Sequence, residues 1–194
     1  MDIESQILAS IEVKQKILDD KALVAKIHEV AKVCVQAYKC GNRILLAGNG
    51  GSAADAQHIA AEFVSRFMFD RPGLPAIALT TDTSMLTAIG NDYGYEKVFE
   101  RQLEANGKAG DVFIGITTSG NSKNILRVIE KCSELGITSV GLAGAGGVIG
   151  EICDYLIAVP SFDTPRIQES HILVGHIICS YVEFTLFGGG MDEV

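Results

Sequence analysis

The sequence has no tryptophan, and only 7% of its 194 residues are aromatic. A core without large rings has to be filled by Ile, Val, Leu and Ala. Basic charge is in short supply as well. Sixteen Lys and Arg face 24 Asp and Glu, a net charge of −8. That balance excludes the basic patches of a nucleic-acid surface. It leaves room for an anionic metabolite wherever backbone dipoles supply local positive potential. No window holds about 18 uninterrupted apolar residues, so no membrane span is expected. The opening Met1-Asp2-Ile3-Glu4 lacks the basic and apolar regions of a signal peptide, and a cytoplasmic location is expected. The five cysteines (Cys34, Cys40, Cys132, Cys153, Cys179) are scattered, odd in number and never spaced as CxxC. They read as reduced thiols of a cytosolic protein. No GxGxxG opens a long helix after the first strand, so Gly144-Ala145-Gly146-Gly147 is a loose turn and not a dinucleotide fingerprint.

What is present is an ordinary globular composition, 47% apolar and 21% charged, at a length suited to one domain. Residues 3–39 read as two helices broken at Asp19-Asp20. Ile7, Ile11, Lys14 and Leu18 form the first stripe; Leu23, Ile27, Val30, Ala31 and Cys34 form the second. Strands at 43–47, 76–79, 112–116, 138–143 and 155–159 then alternate with helices at 52–68, through 86, at 121–135, near 148–152 and from 163 to 187. This alternation predicts an α/β fold, a five-stranded parallel sheet with helices on both faces. Two helices ahead of the first strand exceed what such a domain needs. Residues 1–40 are therefore expected to pack in an oligomer, 41–187 to form the sheet domain, and 188–194 to be a flexible tail. The last helix is apolar nearly all round, which again points to subunit packing.

Ligands of parallel sheets sit beyond the carboxyl ends of the strands, and two unusual turns fall there. Asn49-Gly50-Gly51-Ser52 leads from the first strand into a helix. Glycines admit positive φ and close approach, and the N–H groups at a helix start attract an anion. Thr117-Thr118-Ser119-Gly120-Asn121-Ser122 leads from the third strand into another helix, with hydroxyls in place of a lysine. One or two turns into the first of these helices, His58 and Glu62 share one face. A cradle for phosphate thus leads to groups that bind metal or move protons.

These turns, with Gly90-Asn91-Asp92-Tyr93-Gly94, His58, Glu62, Arg66 and Arg166-Ile167-Gln168-Glu169, resemble the sugar isomerase (SIS) phosphosugar-binding family over nearly the whole chain. The likeness is to members acting on seven-carbon sugars. It implies a flavodoxin-like three-layer sandwich, a homotetramer and one zinc ion per site. It also implies interconversion of sedoheptulose 7-phosphate and D-glycero-D-manno-heptose 7-phosphate, the first step towards the heptose of lipopolysaccharide cores. Carried over residue by residue, the base is Glu62 and the second acid/base group His176. The zinc ligands become His58, Glu62, Gln168 and His176. Substrate contacts fall on Asn49, Gly50, Gly51, Ser52, Glu62, Arg66, Asn91, Asp92, Thr117, Thr118, Ser119, Ser122 and Gln168. One position departs from the pattern: Pro165 stands where relatives often carry Asp, so that hydrogen bond is absent or supplied by Asp163.

Aldose–ketose exchange needs one carboxylate near carbon and one group that shuttles an oxygen proton, and a metal can polarise the carbonyl. Gln168 and His176 are eight residues apart on one helix, roughly 12 Å along its axis and about 80° around it. The spacing predicts that they reach one ion from different copies of the chain, at a subunit junction. Arg66 either pairs with Glu62 or contacts substrate. His28 reads as solvated without partners, His171 as structural, and Lys123 and Arg127 as a solvated face. Two other readings compete with the isomerase. One is a non-catalytic partner of the same fold, of the DnaA-associating type. The other is a sensor or isomerase of a different sugar phosphate. The presence of His58, Glu62, Gln168 and His176 together speaks against a bare scaffold.

Overall fold

The computed structural model describes residues 2–188. The expected tail therefore lies outside the described residues, apart from Gly188. In chain order the elements are α1 (Ile3–Asp19), α2 (Lys21–Lys39), β1 (Ile44–Gly48), α3 (Gly51–Val64), β2 (Ala76–Ala78), α4 (Thr83–Tyr93), α5 (Val98–Asn106), β3 (Val112–Thr117), α6 (Lys123–Leu135), β4 (Thr138–Ala143), β5 (Tyr155–Ala158) and α7 (Thr164–Phe187). Short 3₁₀ turns at Tyr95–Lys97 and Ile149–Glu151 complete the order.

All strand pairs are parallel and the sheet order is β2-β1-β3-β4-β5. The crossovers from β1 run to one side and those from β3 to the other. The switch point between β1 and β3 is where such sheets bind ligands. Every residue of β1 and β3 is buried, as expected of parallel strands covered on both faces. Alternate side chains feed two cores. Ile44 and Leu46 join α1, α2, α3 and α7 on one face, while Leu45 and Ala47 join α5 and α6 on the other.

Asp20 explains the break between the first two helices. Its carboxylate accepts from Ala22 N and Leu23 N to start α2, while its own N–H closes α1 on Lys16 O. The stripe Leu23, Ile27, Val30, Ala31 and Cys34 is buried as the spacing predicts. The α1 stripe is not: Ile7, Ile11 and Leu18 are more than half exposed, and Val13 and Ile17 make the inward contacts. Within one chain, α2 and α7 already cover the sheet, so α1 lays only a narrow edge on them. Helix α7 is long and apolar enough to cross a membrane by length and composition. In the structure one of its faces is buried through Ile167, Val174, Ile178 and Val182, while Ile177 and Phe184 stay exposed.

Beyond shifts of one or two residues at several element ends, three larger differences from the sequence reading stand out. Helix α3 stops at Val64 instead of near 68; α4 runs on to Tyr93; and α5 falls in a stretch to which the sequence reading assigned nothing. Helix α7 begins at Thr164 with Asp163 as its cap residue. The five cysteines are free.

Candidate active site

The first cradle is the turn from β1 into α3. Gly50 sits at φ +57°, in the region favouring glycine, and is the N-cap of α3 without any side-chain cap bond. The helix therefore opens with its first N–H groups free of a side-chain acceptor. Gly51 faces Gln168: a Cβ there would lie 2.5 Å from Gln168 Nε2, so the amide end of that side chain would have to shift. Ser52, expected to open the helix, is its second residue and is buried.

Asn49 is fixed by partners that sequence reasoning missed. Its amide exchanges two hydrogen bonds with that of Asn124, each 2.9 Å, and Tyr95 Oη donates to its Oδ1 at 3.1 Å. Asn124 lies in the first turn of α6, so this amide pair ties the first cradle to the second. A buried Asn on the inward face of a helix start was the available signal.

The second cradle, from β3 into α6, is held by its own hydroxyls. Thr117 Oγ1 and Ser122 Oγ are 2.9 Å apart, and Ser119 Oγ accepts from Asn121 N at 3.2 Å. Ser122 is the N-cap of α6, yet its hydroxyl makes no cap bond. From behind, Asn121 Oδ1 accepts from Val148 N, and Gly147 packs on Gly120 with no space for a Cβ. The 144–147 turn is thus the backing of this loop.

Helices α3 and α7 bring His58, Glu62 and His176 together. His58 Nε2 lies 3.0 Å from His176 Nε2 and 3.3 Å from Glu62 Oε1. One ligand atom from each of the three lies within 4.8 Å of the others. The donor set suits a divalent cation, since two imidazoles and a carboxylate with one position open is a common catalytic metal shell. The spacing fits as well: two nitrogens about 2.0–2.1 Å from a tetrahedral ion stand roughly 3.3 Å apart. Asp55, one turn before His58, keeps a buried carboxylate oxygen without a hydrogen-bond partner. Burial pushes its pKa up, with His58 and His176 opposing. A carboxylate beside ligating histidines is a familiar second layer of metal sites.

Gln168 and His176 are expected from their spacing to reach one ion from different copies of the chain. Within one chain, His176 meets His58 and Glu62, while Gln168 lies over Gly51 at the first cradle.

Other positions fall outside these contacts. Arg66 lies past the end of α3, exposed, and does not pair with Glu62, whose partner is His58. The early helix stop breaks the register that would have joined them. Asn91 and Asp92 are exposed in the last turn of α4 and bond each other at 2.8 Å. His28 is not without partners, since Tyr181 Oη stands 3.0 Å from its Nε2. His171 is structural: fully buried, it bonds Ala143 O at 3.1 Å, and burial lowers its pKa to about 4. Arg127 pairs with Glu96 and Glu100 on a half-exposed face.

The SIS domain family profile matches residues 9–144. The chain is 65% identical to the phosphoheptose isomerase of Aneurinibacillus thermoaerophilus, over 95% of this chain and 94% of that protein. The solved phosphoheptose isomerase structure from Neisseria gonorrhoeae is 43% identical, with TM-score 0.87, covering 93% of this chain and 96% of that one. The one from Francisella tularensis is 37% identical, with TM-score 0.89, covering 93% and 95%. Two cradles at the switch point, a His–Glu–His cluster beside them and likeness along almost the full length lead to one conclusion: the chain belongs to the SIS domain family, among its phosphoheptose isomerases.

Proposed function

We propose that this protein is an aldose–ketose isomerase that converts sedoheptulose 7-phosphate to D-glycero-D-manno-heptose 7-phosphate, supplying heptose for lipopolysaccharide cores. The observation that carries this reading is the convergence of His58, Glu62 and His176 next to cradles that can take a phosphate without lysine. The phosphate is held by the N–H groups at the start of α3 or α6 and by the hydroxyls of Thr117, Ser119 and Ser122, with Thr118 beside them. Asn49, Gly50, Gly51, Ser52 and Gln168 line the sugar side, and Arg66, Asn91 and Asp92 reach the substrate from its rim.

Glu62 removes the proton from the carbon next to the carbonyl and returns it to the former carbonyl carbon, while His176 carries a second proton between the two oxygens of the cis-enediol. Both groups stand on helices, so they keep their aim while the sugar changes shape. His58, Glu62 and His176, with Gln168, would hold a zinc ion, which would supply polarisation of the carbonyl and stabilisation of developing negative charge.

The working unit is a homotetramer with sites at subunit junctions. Supporting this are the exposed Ile3, Ile7, Leu8, Ile11, Ile177 and Phe184, and an apolar groove of about 310 Å³ between α1, α2 and α7. Five free thiols suit the reducing cytoplasm.

The test is incubation with sedoheptulose 7-phosphate, with and without zinc, following the aldose by chromatography. Turnover is expected for the parent chain. Glu62→Gln should abolish it while leaving substrate binding largely intact, since the amide keeps the size of the side chain and loses the base. Retained turnover in that variant overturns the assignment of Glu62 as the base.

A further inference from the structure

Neither cradle nor the ligand cluster uses the most buried ion pair among the described residues. Arg71 Nε lies 3.0 Å from Glu183 Oε1, and the two side chains are 2% and 1% exposed. Glu183 sits on α7, two turns beyond His176, and its other bonds run to the far end of α3. It accepts from Phe67 N at 2.9 Å and Met68 N at 2.6 Å. Arg71 faces the same end from outside. Its Nη2 donates to Glu62 O at 2.8 Å, and its Nη1 donates to Phe63 O at 2.6 Å and Ser65 O at 3.2 Å.

The guanidinium therefore caps the last carbonyls of α3, which a helix end leaves without partners. The carboxylate then joins this cap to α7. Desolvation would raise the pKa of Glu183, but the two N–H groups and Arg71 overcome it and hold the carboxyl below its ordinary value. Such a pair is a weak device for stability, because apolar residues of the same volume serve as well. Its fork geometry fixes a distance and a rotation instead. The two helices it joins are those that carry His58 and Glu62 on one side and His176 on the other.

We propose that Arg71 and Glu183 are positioning residues that set how α3 and α7 are aligned, and through this alignment the spacing of His176 from His58 and Glu62. The proposal rests on the reading of those three residues as a metal site, and the experiment separates the two. Zinc affinity is measured by competition with a chromophoric chelator, alongside kcat and KM, for the parent chain, Glu183→Gln, Arg71→Met and the double variant. Val140→Ala, a core change in β4 remote from the pair, serves as the control for lost stability.

Each single variant is expected to weaken zinc binding by about tenfold or more, as outer-layer changes do. Kcat should fall with KM within about threefold. The double variant should lose no more than either single one, because the pair acts as a unit. Val140→Ala, at a similar loss in Tm, should bind zinc like the parent. Arg71→Lys keeps the charge and loses the fork, so it tests the same point should Arg71→Met not fold. Parent-like zinc affinity in Glu183→Gln and Arg71→Lys overturns the proposal, as does an equal loss in Val140→Ala. If the parent chain itself binds no zinc, the metal-site reading fails, and this proposal with it.

Discussion

The pocket has two ends built in different ways. At the phosphate end, each cradle is a strand-to-helix turn, and most of its contacts lie within a few residues: Thr117 with Ser122, Ser119 with Asn121, Gly50 starting α3. At the proton-moving end, the partners are far apart in sequence. His58 meets His176 across 118 residues, and Glu183 meets Phe67 across 116. On the proposed function, the local turns take a ligand whose charge is fixed and whose position is tolerant. Moving a proton requires reacting atoms in line, and packed helices supply that rigidity.

This difference can be broken first at the proton-moving end. His176→Gln should lower kcat by about 10²–10⁴-fold, the span of one acid/base group, with KM nearly unchanged in steady-state kinetics. A rise in KM with kcat preserved would show that His176 serves binding and would erase the division. At the other end, Thr117→Val with Ser122→Ala removes two hydroxyls from the second cradle. Bonds to a charged group contribute about 1.5–3 kcal/mol each, so losing both should raise KM roughly 10²- to 10⁴-fold while kcat holds. A loss confined to kcat would place the phosphate elsewhere.

The smallest effect sharpens the link between the ends. His171 joins α7 to Ala143, the last residue of β4, and its pKa is lowered to about 4 from 6.5. Between those values the unfolded chain binds a proton that the folded chain refuses. Stability from this group is complete above pH 6.5 and is lost as pH falls towards 4. His171→Leu should flatten the decline in Tm between pH 7 and pH 5 by a few degrees, at about 2–4 °C per kcal/mol for a chain of this size. The Ala143 carbonyl keeps Val159 N as a partner in that variant. An unchanged pH profile would assign the decline to the carboxylates.

The same division decides what was legible in the sequence. The parallel sheet, the two cradles and the His58–Glu62 face all follow from neighbours a few residues apart, where glycine, hydroxyl and helical spacing act directly. The α1 stripe misled because periodicity shows that a face is apolar without showing what covers it. Helix α5 escaped because its inward residues Val98, Phe99, Gln102 and Leu103 include a glutamine that reads as polar. Gln102 is buried because its amide bonds Leu79 O and Val98 O. The stop of α3 at Val64 was hidden for a similar reason: Arg71 and Glu183 are 112 residues apart, and no local signal pairs them. The resemblance to a family supplied His176, since no local signal joins it to His58 across 118 residues.

The sheet also narrows towards its margins. Its central strands run five and six residues, whereas the outermost, β2 and β5, have three and four. Margins this brief present few open amides, and Pro75 stands directly before Ala76 with no N–H to offer. Concentrated solutions of the enzyme should therefore resist strand-by-strand growth into fibres, leaving the greasy helical faces as the route by which molecules meet.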